Sequence, residues 1–150
     1  MEETQLPVVV IGAGPVGLSA AVRLVERSVD FVLLEASTSV AASLRDWGHV
    51  RLFSPWRYDV DAAAARLLEP TGWTPPPPEE YPTGDDLFRR YLEPLSKVPA
   101  IRRGLRLDRR VVAITRRGVD KIRTADRASV PLLVRTQSND GAHEEFLRAR

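Results

Sequence analysis

The chain has no cysteine, two histidines, and only two lysines, Lys97 and Lys121, among its 22 cationic side chains. Without a thiol it can form no disulfide framework, no thiolate metal site and no redox dithiol within these 150 residues. His49 and His143 are far apart in the chain, so no metal site is expected. The remaining cations are arginines, most of them alternating with Asp and Glu or falling on amphipathic segments, which marks a solvated surface. Their densest group, Arg102-Arg103, Arg106 and Arg109-Arg110, lacks aromatic partners for base stacking, and nucleic acid is not an expected partner. Long apolar runs are also missing. The N-terminal one is interrupted by Gly12, Gly14, Pro15, Gly17 and Arg23, and Glu2 and Glu3 stand where a secretory leader carries positive charge. A cytoplasmic location with no membrane partner is therefore expected. No internal repeat is visible. With 43% hydrophobic and 28% charged residues, the chain has the composition of one globular domain, 1–150, able to bury a core.

What is present is concentrated near the N-terminus. Leu6 to Ile11 is an almost unbroken apolar run rich in β-branched residues, suited to a central parallel strand buried on both faces. It leads into Gly12-Ala13-Gly14-Pro15-Val16-Gly17, and eighteen residues after Gly17 a second apolar run, Phe31 to Leu34, ends in Glu35. Each glycine has a distinct steric task. Gly12 turns the chain out of the strand, Gly14 leaves room for a pyrophosphate against the backbone, and Gly17 lets the next helix pack closely on the strands.

That helix, expected over Pro15 to Arg27, begins with a proline that fits the first turn. Its N-terminus carries unpaired N–H groups and roughly half a positive charge, a seat for an anion. Val16, Ala20, Leu24 and Val25 are expected to form its sheet-facing side. Glu35, closing the second strand, is placed to accept hydrogen bonds from ribose hydroxyls and to repel a 2′-phosphate. The turn is thus read as a site for the adenine dinucleotide of FAD or NAD in preference to NADP.

The segment from Ala36 to Arg45 reads as loop or short helix. It is followed by an aromatic-rich stretch, Asp46 to Tyr58, in which Trp47, Phe53 and Trp56 either line a ring-shaped ligand or anchor a long loop in the core. Asp61 to Leu68 is helical and stopped by Pro70 and Gly72, and Trp73 to Pro78 is extended, a rigid connection. Thr83 caps a second strong helix with acids in its first turn and an apolar face of Leu87, Tyr91, Leu92 and Leu95, kinked or ended by Pro94. Leu105 to Leu107 is the natural third parallel strand. Arg110 to Thr115, Leu132 to Gln137 and Glu144 to Arg148 form an antiparallel meander, with Asn139-Asp140-Gly141 as a hairpin turn.

These features resemble FAD-dependent oxidoreductases of the two-dinucleotide-binding-domain type, nearest to flavin-containing monooxygenase-like proteins. The resemblance rests on Gly12 to Gly17 with Glu35, on Pro82 to Leu92, and on Leu105 to Val111. It implies a Rossmann-like FAD/NAD(P)-binding α/β domain with a short parallel sheet and an antiparallel β-meander. By that resemblance Gly12, Ala13, Gly14, Pro15 and Gly17 hold the FAD pyrophosphate, Glu35 holds the adenosine ribose, and Val111 offers its backbone to the adenine. Trp47 would approach the ribityl chain or flavin, although Ala41-Ala42 stand where the family often has a Gly-Gly pair. The missing cysteines set aside glutathione-reductase-like relatives, but not thioredoxin-reductase-like ones. The resemblance further implies that this is the N-terminal, truncated portion of a longer flavoprotein, with NADPH used by the complete protein on a small-molecule substrate. No catalytic acid, base or nucleophile is identified, and the portion is expected to be inactive alone. The alternative is a non-catalytic NAD- or ADP-binding module. An NAD-dependent dehydrogenase domain would instead show further βα repeats and no meander.

Overall fold

A computed structural model describes residues 6–119, 122 and 127–150; Glu2, Glu3 and Lys121 lie outside them. Three parallel strands, β1 (Val8–Ile11), β2 (Phe31–Leu34) and β3 (Leu105–Arg106), lie in the order β1-β2-β3. Alternation along these strands divides the core in two. Val10, Phe31, Leu33 and Leu105 face a helical layer, while Val9, Val32 and Leu34 face the meander of β4 (Arg110–Arg116), β5 (Leu132–Gln137) and β6 (Glu144–Ala149). The second strand is thus the central one. β1, expected to be central, has only β2 as a partner among the described residues, and Ile11 is half exposed.

Helix α1 (Pro15–Glu26) crosses from β1 to β2 and buries Leu18, Ala21 and Val22. This corrects the expected face: Val16 is 83% exposed. The cause is Gly17, where a Cβ would stand 1.8 Å from the Gly12 carbonyl oxygen. With Gly17 turned onto the strand end, positions 18, 21, 22 and 25 follow it inward at helical spacing and Val16 is carried outward. Helices α2 (Ala42–Asp46), α3 (Trp56–Asp59) and α4 (Ala62–Leu68) follow, with Asp61 capping α4 through the amides of Ala63 and Ala64. Surface ion pairs Arg23–Asp61 and Arg66–Glu26 join α1 to the α4 region at 2.6 Å.

The second strong helix is real but segmented: α5 (Gly84–Leu87), a π-helical turn (Phe88–Leu92) and α6 (Glu93–Lys97), followed by α7 (Pro99–Arg102). In α-helical register the amide of residue 94 would serve the Arg90 carbonyl, and Pro94 has none. The Trp73 indole N–H donates to that carbonyl at 2.6 Å. The extended segment before the helix thereby stitches the irregular turn, as π-bulges need. The expected apolar side of Leu87, Tyr91, Leu92 and Leu95 is buried throughout.

The start of α5 is fixed by a capping box. The Asp86 amide donates to Thr83 Oγ1 at 3.1 Å, and the Thr83 amide donates to Asp86 Oδ2 at 2.9 Å. The Thr83 amide first, and then the Thr83 hydroxyl, which donates to the same Oδ2 at 2.8 Å, hold the Asp86 carboxyl below its ordinary value. A depressed carboxyl stabilises the fold above its unfolded pKa and loses that contribution as pH falls through the folded value. Thr83→Ala should therefore cost about 1 kcal/mol near neutral pH. In urea unfolding the gap from wild type should narrow below about pH 4; a gap unchanged into acid would contradict this role for Asp86.

Candidate functional site

The site is assembled where the carboxyl ends of β1 and β2 meet the start of α1. Gly12 leaves β1 with φ +93°, a conformation that a side chain resists, and its amide donates to the Leu34 carbonyl at 2.7 Å. Ala13 is fully buried; its carbonyl accepts from the Ala41 amide at 3.0 Å. Its amide donates to Glu35 Oε2 at 2.8 Å, and the Ser37 amide donates to Glu35 Oε1 at 2.8 Å. The carboxylate is thereby held against the glycine turn, 22 positions away in sequence. Two of the roughly four acceptor positions of an ionised carboxylate are engaged by these bonds, leaving others for hydroxyl donors.

The three glycines are not equivalent. Gly12 is required by its own dihedral angle, and Gly17 by the 1.8 Å approach to Gly12. Gly14 is required by neither: its φ of −78° is ordinary, and a Cβ there would meet no atom within 4 Å. The protein's own packing gives no reason for glycine at this position. Open space beside the backbone is what a closely approaching ligand needs. Gly14 is also the N-cap of α1, yet no side chain caps that helix and no acid lies in its first turn. The contrast with α5, closed by Thr83 and Asp86, is direct. The end of α1 retains the partial positive charge and amide donors that attract an anion.

The sequence-predicted residues Gly12, Ala13, Gly14, Pro15, Gly17 and Glu35 thus lie together where the carboxyl ends of β1 and β2 meet the start of α1. Val111 is close by in the chain path, because the Arg109 amide donates to the Glu35 carbonyl at 2.8 Å and β4 starts there. A register shift between Val111 and Ala113 interrupts the ladder at this point. Trp47 ends α2, is 40% exposed, and its ring lies against Gly84, where a Cβ would be 3.0 Å from the indole. Only part of the aromatic stretch anchors the loop in the core. Trp56 is a core anchor, whereas Phe53 is 98% exposed. Backbone bonds from Leu52 to Pro82, Trp56 to Glu80 and Gly84 to Val50 pin the stretch along the segment before α5.

Ala41 stands where the resemblance has a glycine of its Gly-Gly pair. It occupies the left-handed region, φ 51°, where glycine is the easier residue, with its methyl group buried in the core. The contacts that Ser37, Asp108 and Asn139 make around Glu35 have little signature in the sequence. Only the turn signal of Asn139-Asp140-Gly141 touched one of them, and nothing local points to its contact with Ala36, 103 positions away. A separate cavity of about 450 Å³ lined by Val25, Ser28, Phe31 and Arg103 lies at the amino end of β2. Ligands of open α/β sheets bind at the opposite, carboxyl end.

A strand, a glycine turn, an uncapped helix and an acid ending the neighbouring parallel strand define a Rossmann-like dinucleotide-binding domain. Residues 7–147 match the FAD dependent oxidoreductase family, and the chain belongs to that family. No curated protein matches it. Among solved structures it is similar to an oxidized steroid monooxygenase bound to NADP, with 25% identity and a TM-score of 0.66 over 97% of this chain and 25% of that one. It also shares its fold with the bacillithiol disulfide reductase of Bacillus cereus, with 19% identity, TM-score 0.67, and 97% and 38% of the two chains covered. A third similar structure is OTEMO in complex with FAD and NADP, with 20% identity, TM-score 0.63, and 96% and 24% covered. The chain therefore spans from about a quarter to under two-fifths of the length of these proteins. Among the described residues no helix is long and apolar enough to cross a membrane.

Gly17→Ala should cost several kcal/mol or prevent folding, because backbone is what its Cβ would strike. Gly14→Ala should stay within about 1 kcal/mol of wild type, the range of an N-cap change. Chemical unfolding of the two variants checks this. Equal losses at both positions would contradict the division between a packing glycine and a ligand glycine.

Proposed function

We propose that this chain is the FAD-binding portion of a flavin- and NAD(P)H-dependent oxidoreductase, monooxygenase-like in the complete protein and inactive alone. The observation that carries the reading is Gly14, a glycine that neither its own dihedral angles nor its neighbours require, at the open start of an uncapped helix. There the pyrophosphate can approach the backbone, and the first-turn amides of α1 can donate to it. Gly12 and Gly17 shape the turn, Ala13 anchors Glu35, and Pro15 starts the helix without needing a hydrogen-bond acceptor. Glu35 accepts the ribose hydroxyls through its remaining lone pairs, and Val111 offers backbone groups to the adenine. Trp47 is the residue on this chain assigned to the neighbourhood of the ribityl chain. When bound, the flavin supplies the redox chemistry, and the chain's residues bind and orient its ADP half. Reduction by NADPH and the choice of small-molecule substrate then belong to the complete protein.

The experiment is binding of FAD to the purified chain, followed by quenching of flavin fluorescence. Wild type should bind, Gly14→Val should fold yet lose binding through steric exclusion, and Glu35→Ala should weaken it by roughly tenfold or more. Undiminished binding by Gly14→Val would refute the pyrophosphate site. A chain that ignores FAD and binds NAD would instead support a non-catalytic dinucleotide module.

A further inference from the structure

Glu35 is effective only if its carboxylate keeps its direction, and the residues that hold it come from three distant segments. The Glu35 amide donates to the Arg106 carbonyl at 2.9 Å, and the Arg109 amide donates to the Glu35 carbonyl at 2.8 Å. Next along, the Asp108 amide donates to the Ser37 carbonyl at 2.9 Å. Asp108 itself is left-handed, φ 54°, and its Oδ1 accepts from the Asn139 amide at 2.9 Å. The Asn139 side chain completes the loop by donating Nδ2 to the Ala36 carbonyl at 2.8 Å. The tip of the β5–β6 hairpin is therefore tied to the peptide unit whose N–H, that of Ser37, donates to Glu35 Oε1.

A hairpin tip has no need of such a tie for its own closure. Ser138 and His143 already close it through the Ser138 amide and the His143 carbonyl at 2.9 Å, and Gly141 takes the left-handed position at φ 71°. Both bonds made by Asn139 lie at the surface, where a hydrogen bond adds little to global stability. Their specific effect is geometric, fixing where Ala36 and Ser37 stand.

We propose that Asp108 and Asn139 are positioning residues for the adenosine ribose: together they fix the Ala36–Ser37 segment, so that the Ser37 amide keeps the Glu35 carboxylate turned into the crevice. The proposal rests on the dinucleotide reading of that crevice. It makes the meander part of the binding site and gives the hairpin turn a role beyond reversing the chain.

The test compares ADP with 2′,3′-dideoxy-ADP by calorimetry on the whole chain. Asp108→Gly keeps the left-handed backbone and deletes the acceptor, Asp108→Asn keeps both, and Asn139→Ala removes the tie to Ala36. Wild type should prefer ADP. Asp108→Gly and Asn139→Ala should lower ADP affinity by about tenfold and leave the dideoxy nucleotide unchanged, with Asp108→Asn restoring wild-type behaviour. Equal losses for both nucleotides, or no loss for ADP in folded variants that retain wild-type melting, would overturn the proposal alone. Wild type that binds neither nucleotide would refute the dinucleotide reading and this proposal with it.

Discussion

The missing side chain at Gly17 governs the geometry from which the rest follows. A helix that starts directly after a strand must either stand away from the strand end or press its backbone onto it, and at Gly17 only the second arrangement fits. Any Cβ there would overlap the Gly12 carbonyl oxygen. That contact sets the rotation of α1, decides that Leu18, Ala21 and Val22 are buried, and aims the first turn of the helix past Gly14. Because the turn is so tight, the Ala13 amide comes within 2.8 Å of Glu35, and the acid of one strand becomes part of the turn leaving another. The packing of α1 and the placing of Glu35 against the turn are therefore consequences of one close approach.

The two faces of the parallel sheet serve different ends. The helical side contains the larger core, in which Trp56, Leu68, Leu92, Leu95 and Ile101 are almost wholly buried. The meander side is a thinner cluster around Val32, Leu34, Val134 and Ala149. Its strands also bring charge to the sheet edge, where Arg106 pairs with Glu145 at 2.7 Å. Exposed pairs of this kind add little to stability, so the meander is held chiefly by its apolar seam and by backbone bonds near Glu35. Its attachment at that point brings the distant hairpin into hydrogen-bond contact with the segment that follows Glu35.

Much of this was legible in the chain. The strands β2 and β5, the helix after the glycine turn and the Thr83 cap follow from apolar period, turn residues and capping chemistry, which are local signals. The face of α1 departs from the apolar period because the close approach at Gly17 outweighs hydrophobicity in setting the helix rotation. Val16 is apolar yet exposed, and the glycine beside it fixes the rotation. The π-helical turn before Pro94 was legible only as a disturbance, since its stabilising partner, Trp73, lies 17 positions before the Arg90 carbonyl it serves. Within the site, the glycines and Glu35 carry a spacing that chemistry explains. Ser37, Asp108 and Asn139 act through backbone groups and long-range contacts, which composition does not encode. Family membership rests on the match over residues 7–147, and the site chemistry agrees with it without depending on the neighbours' reactions.

The central claim is that the crevice between Gly14 and Glu35 receives the ADP half of the cofactor, and amide chemical shifts followed during ADP titration test it most directly. The account predicts saturable changes concentrated at Gly12, Gly14, Val16, Gly17, Glu35 and Ser37, with smaller ones at Val111. Saturable changes centred on the cavity around Ser28 and Arg103, or no response at the glycine turn, would contradict it.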